Sequence, residues 1–200
     1  MKNEKLMKSG TAIARPGRET VANMKKESIS LIIALLVAGF VGVAAAADKK
    51  AELTAEVDEA KAALMKKDEG LKNVFEKAQG YVIFPSVAKG GLGVGAAMGT
   101  GQLLEKGKVM GEAKLSQVSI GFQAGGQAYV EVIFFEDQTS LDNFKKGNFE
   151  FSAQVSAVAV TAGVSRNAKY EKGIMVLTLA KGGLMYEASV GGQKFKYKAY

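Results

Sequence analysis

The sequence contains no cysteine, no histidine and no tryptophan, and only two prolines. Without histidine or cysteine the usual zinc, haem and iron–sulfur sites and the Ser-His and Cys-His nucleophile pairs cannot be built, because their donor and proton-shuttle atoms are missing. Oxygen-ligand metal sites stay open, but no cofactor is implied. The lack of thiols also excludes disulfides and a lipid-modified cysteine anchor, so packing alone must hold any domain together. Surplus charge is scarce as well. The net charge is +7, yet the first 47 residues hold seven of the 27 basic and three of the 20 acidic residues, leaving 20 against 17. That mild excess argues against nucleic acid, which calls for a strongly basic face with many phosphate contacts. A membrane surface needs only a local basic cluster.

Residues Ser28 to Ala47 form an uncharged stretch, SISLIIALLVAGFVGVAAAA, preceded by Lys25 and Lys26 and followed by Asp48, Lys49 and Lys50. Basic, apolar and small-residue parts in that order make a secretory signal. Ala45 and Ala47 suit the minus-three and minus-one positions, which places cleavage between Ala47 and Asp48. An uncleaved transmembrane anchor is the competing reading, since about 20 apolar residues just cross a bilayer. The expected organisation is a leader or over-extended start over 1–23, a signal peptide over 24–47 and a single domain over 48–200. The expected location is the periplasm or the extracellular space.

Leu53, Val57, Ala60 and Leu64 recur at three-to-four spacing and predict an amphipathic helix that ends at Gly70. A second helix, Leu71 to Ala78, repeats the pattern and stops at Gly80. Beyond Gly80 the period is that of strands. Candidates are Tyr81 to Phe84, Leu92 to Ala97, Gln102 to Glu105, Lys114 to Gln123, Gln127 to Phe135, Phe149 to Val160, Gly173 to Leu179, Leu184 to Val190 and Lys194 to Tyr200. Ser140 is placed to cap a short helix, Leu141 to Lys146. The pentapeptide AKGGL occurs twice, at Ala88–Leu92 and Ala180–Leu184, and predicts two equivalent glycine corners. The fold class expected is α+β, with N-terminal amphipathic helices packed on a curled antiparallel, barrel-like sheet.

Three blocks carry a family resemblance. KAQGYVIFPSVAKGGLGVGAAMGTGQLL from Lys77 to Leu104, SIGFQAGGQ from Ser119 to Gln127 and AKGGLMYEASVGGQ from Ala180 to Gln193 resemble, in order and spacing, the SYLF (Ysc84-type) lipid-binding domain family. The resemblance implies phospholipid binding, with phosphoinositides in eukaryotic members and actin in some fungal ones. Gly111 to Val118 lacks the Trp and Pro of eukaryotic members, and the export signal points to the short bacterial type. For that type general phospholipid binding carries over and actin does not.

Three sets of lysines are candidate headgroup contacts. Lys66, Lys67, Lys72 and Lys77 lie on the helices, where an amphipathic stripe suits a bilayer and equally suits an ordinary core-facing helix with a solvated side. Lys89 and Lys181 occupy matching positions in the two pentapeptides and are candidate paired charges for one phosphate. Lys194, Lys196 and Lys198 alternate with Phe195 and Tyr197, an arrangement that fits a headgroup-facing strand or a lysine-protected edge. Catalytic constellations are thin: Ser86 and Lys89 straddle a turn-like segment, and no enzyme is expected. The function expected is phospholipid binding at an envelope membrane surface; the alternative is a structural protein that meets an envelope protein partner.

Overall fold

The computed structural model describes residues 47–152, 155–181 and 190–200, with the backbone alone for 92–94 and 119–125. Residues 49–200 form one compact unit. The expected signal segment up to residue 46 lies outside the described residues, as does most of the expected strand Leu184 to Val190. Ala47 and Asp48 are exposed at the start of the first helix. No helix among the described residues is long and apolar enough to cross a membrane.

Helix α1 covers residues 47–67 and buries Val57, Ala60 and Leu64, the face that the spacing predicts. Helix α2, Leu71–Lys77, adds Leu71 and Phe75. Between the helices the Asp68 carboxylate accepts N–H bonds from Ser165 at 2.7 Å and Gly70 at 3.1 Å. These bonds, that from Ser165 foremost, hold its carboxyl below the usual carboxylate range. Asp68 thereby ties the α1–α2 corner to the first turn of a short helix, α4 (Val164–Asn167).

The strands are fewer and longer than the periodicity suggests. β1 runs unbroken from Gly80 to Glu105 and β2 from Lys108 to Phe135, paired antiparallel along their whole length. Lys106 and Gly107 join them with φ of 48° and 77°, the positive pair that a tight hairpin turn matched to strand twist requires. Five of the expected strands therefore merge into two. The first AKGGL copy lies inside β1, where Ala88 to Leu92 pair with Ala124 to Ala128, so no corner stands there. Pro85, which has no N–H to give to a ladder, falls in a register shift between Phe84 and Val87.

The far edge of β2 carries two partners. β5 (Ile174–Ala180) pairs with residues 129–135, and β6 (Lys194–Ala199) with residues 111–116. The short strands β3 (Phe149–Glu150) and β4 (Val158–Ala159) complete a six-stranded sheet, flanking β6 and β5. The β4–β5 pair is parallel, a local exception to the antiparallel expectation. Among the described residues of the expected strand Phe149 to Val160, these short pieces form strands and Ser156 makes a single bridge. Helix α3 spans Gln138–Lys145 and is capped by Asp137, whose Oδ1 accepts the Ser140 N–H at 2.7 Å; Ser140 supplies the donor and is not the cap.

The long β1–β2 hairpin curls back on itself. Gly101 has no room for a Cβ against the Ile83 carbonyl, and one on Gly80 would stand 3.1 Å from the Leu104 carbonyl oxygen. The two halves of β1 thus cross at backbone distance, and Gly80 serves this approach, beyond the helix stop expected of it. Inside the curl, Phe195 of β6 packs on Phe84 of β1 at 5.8 Å between ring centres, on Phe144 at 5.7 Å and on Phe151 at 4.8 Å. The outer surface has its own core, where α1, α2 and α4 cover Tyr81, Ile83, Val130, Val132, Phe134 and Leu177.

Candidate functional site

Residues directly opposite in an antiparallel pair share a face, and alternate residues along a strand change face. On β2 the odd-numbered residues Ala113, Leu115, Tyr129, Ile133 and Phe135 point into the inner core. The even-numbered ones point outward. At the 129–135 end helices cover that outward side, but along 114–118 it is open: Lys114, Ser116 and Val118 are exposed.

The register builds a surface from this open stretch. Thr100, Lys114 and Lys196 form one cross-strand row, Met98, Ser116 and Lys194 the next, and Ala96 with Val118 a third. Met98 is 67% exposed and Val118 76%, so two large apolar side chains stand in water with three lysines in the adjoining rows. Lys198 extends the lysine row towards Tyr200, whose ring lies 3.8 Å beneath the Lys50 ammonium at the start of α1. Gln102 closes that end of the face. It is fully buried and donates to Thr54 Oγ1 at 2.9 Å and to the Tyr200 hydroxyl at 3.2 Å. Lys114 meets Glu112 at 3.5 Å and Lys194 meets Glu150 at 3.7 Å. Both pairs are solvated and weak.

The three lysine sets expected from the sequence separate in space. Lys194, Lys196 and Lys198 share one strand face, and the structure adds Lys114, Met98 and Val118 to it. Lys66, Lys67, Lys72 and Lys77 are exposed but belong to the other end of α1 and to α2. Lys67 lies 17 residues along the helix from Lys50, about 25 Å away. Lys61 is engaged inside the fold, donating to the Tyr81 hydroxyl at 2.7 Å and standing over the Phe75 ring at 4.9 Å. Lys89 and Lys181 are not brought together. The two AKGGL copies flank the same stretch of β2, since Ala88 pairs with Ala128 and the Lys181 N–H donates to the Ala128 carbonyl at 2.9 Å. Lys89 sits opposite Gln127, on the inner side, whereas Lys181 lines a groove of about 290 Å³ with Glu56 and Glu59 on the helix side. Residues 182–184 of the second copy lie outside the described residues.

A polar cluster within the inner core is absent from the expectations. Glu131 is fully buried, lies opposite Phe84 on β1 and Thr178 on β5, and accepts an N–H from Gln193 at 3.0 Å. Burial pushes its carboxyl up to about 7, against the smaller opposing pull of the Gln193 hydrogen bond. Tyr129, two residues away on the same face, is also buried, and its hydroxyl is pushed up by burial and then by the charge of Glu131. Among the described residues Glu131 Oε1, Thr178 Oγ1 and Gln193 Oε1 have no hydrogen-bond partner. The signal was present in YVEVIFF, where one carboxylate interrupts an apolar run. Among the described residues no three carboxylates gather into a metal-binding group.

Comparison with known proteins places these features. A family model described as "Ysc84: Las17-binding protein actin regulator" matches residues 116–199, a range holding Ser116, Val118, Glu131, Gln193 and the three lysines of β6. Beta cell expansion factor A of Aeromonas veronii is 30% identical over 126 residues, which cover 62% of this chain and 48% of that protein. The chain therefore spans about half the length of that curated relative.

Proposed function

We propose that this chain, which belongs to the Ysc84 (SYLF) family, is a non-catalytic protein that binds phospholipid surfaces in the periplasm or cell envelope. The observation that carries the reading is the open outer face of β1, β2 and β6. Ammonium groups there reach phosphate, while Met98 and Val118 gain by leaving water for the acyl boundary. Each lysine near an anionic surface contributes about 1 kcal/mol, an attraction that falls off within a Debye length.

The described grooves favour binding to a surface over extraction of single lipids. Rings and aliphatic side chains fill the inner core. Grooves of about 220 to 290 Å³ among the described residues fall below the roughly 300–1,000 Å³ of ligand pockets. Lys89 and Lys181 lie on opposite faces and form no clamp for one phosphate, so selectivity follows surface charge. Export by the segment 24–47, with cleavage before Asp48, delivers a domain over 48–200 to the membrane it meets. Ysc84-type actin regulation is left to the proteins so described.

Co-sedimentation of the exported chain with vesicles tests the reading. Vesicles containing phosphatidylglycerol should bring the chain down at low salt, and the bound fraction should fall as salt is raised. Absence from the pellet with every vesicle would reject lipid binding and leave an envelope protein as the partner of the same face.

A further inference from the structure

The turn over residues 190–193 leads directly into β6 and sets the position of its lysines. The inner core holds this turn at several points. Gln117 Nε2 donates to the Gly191 carbonyl at 2.9 Å, the Phe151 N–H to the Gln193 carbonyl at 2.9 Å, and the Gly192 N–H to the Phe151 carbonyl at 3.1 Å. A further tie runs from the Gln193 amide to Glu131 Oε2, and its partner is one that changes charge. We propose that Glu131 is a proton-operated latch on the 190–193 turn, holding β6 in place when neutral and loosening it when ionised.

The surroundings decide the direction. From β1 the residue opposite is Phe84, and from β5 it is Thr178. Along β2 the neighbours on that face are Tyr129 and Ile133, and from the turn comes Gln193. Tyr129 is the other titratable group in that set, and no cation from these elements faces the carboxyl. The carboxyl accepts from the Gln193 amide, and the Thr178 and Tyr129 hydroxyls in that set are unpartnered; an ionised Glu131 would therefore be a buried charge with neutral donors alone, a state that costs stability. A neutral Glu131 brings one more donor to a cluster whose unpartnered atoms include the Gln193 Oε1 acceptor and the Thr178 and Tyr129 hydroxyls, each of which can accept. The carboxyl is raised from its ordinary 4.5 to about 7. The stabilisation is thus fully present below the ordinary value and is lost as pH rises through the raised one.

The latch is least costly to open at its edge. Glu131 sits mid-strand between β1 and β5, whereas the turn is peripheral and β6 pairs with only six residues of β2 and two of β3. Relief by water entry therefore displaces the turn before it disturbs β1 or β5.

Amide hydrogen exchange on the purified chain, corrected for the intrinsic pH dependence of exchange, reads the latch without any lipid and so stands apart from the binding reading. Protection over residues 190–199 should fall about tenfold between pH 6 and pH 8, while Val82, Ile83 and Val176 stay protected. In Glu131→Gln, a neutral isostere, the step should disappear; in Gln193→Met, which removes the tie, the turn should exchange fast at both pH values. A pH-independent 190–199 segment in the unmodified chain, or an equal step in either variant, would overturn the latch. Should Glu131→Gln fail to fold, the Gln193→Met profile decides alone.

Discussion

The two ends of β2 are made of the same backbone and end in different surroundings. Residues 129–135 are buried on both faces, between the inner core and the helices α1 and α2. Residues 113–118 are buried on one face only. The sequence differs accordingly: YVEVIFF is apolar almost throughout, whereas AKLSQV alternates. A strand covered on both sides has no surface left to offer a partner, so its substitutions register as stability. A strand covered on one side keeps a face for binding, and there Met98 and Val118 stand exposed, with no packing role among the described residues.

Breaking this contrast begins at the covered end. Phe134→Ala removes a ring that packs on Phe75 at 4.8 Å and on Tyr81 at 6.0 Å, and should cost about 3–5 kcal/mol of folding free energy in chemical denaturation. Val118→Ser at the open end should cost less than about 0.5 kcal/mol by the same measurement. Comparable losses at the two sites would show that the open face is packed against something after all.

The contrast is next sharpened by charge. Reversing Lys114, Lys194 and Lys196 to Glu removes three exposed ammonium groups from the open face, and affinity for acidic vesicles should fall roughly hundredfold with the unfolding midpoint little changed. Reversing Lys66, Lys67 and Lys72 changes net charge equally but touches only the helices. It should weaken binding several-fold, through long-range attraction alone. Equal losses from the two triple variants would return the binding role to the helices.

Much of the architecture was legible because it depends on local periodicity. The apolar stripe of Val57, Ala60 and Leu64 defines which side of α1 is buried, and the alternation of Lys194 to Lys198 defines which side of β6 is wet. Strand continuity was not legible. Glycines at 90 and 91 read locally as a corner, yet the backbone passes straight through Ala88 to Leu92 because β2 offers a continuous partner over the same span. Lys89 and Lys181 looked paired for the same reason. Their local sequences are identical, but pairing on opposite edges of β2, one residue out of step, sends them to opposite faces. The recruitment of Met98 and Val118 to the lysine face needed the β1–β2–β6 register, which joins residues nearly 100 positions apart. Glu131 was visible as an interruption, but its partner Gln193 arrives from 62 residues away.

The most direct test of the central claim uses the missing tryptophan. Because the chain has none, Val118→Trp or Met98→Trp places a single fluorophore on the open face, and Asn73→Trp places one on the exposed side of α2. With acidic vesicles, emission at 118 and 98 should shift to the blue and be quenched by brominated acyl chains, while emission at 73 stays that of a solvated indole. A blue shift at 73 with none at 98 or 118 would contradict the assignment of the open β1–β2–β6 face as the surface that meets the bilayer.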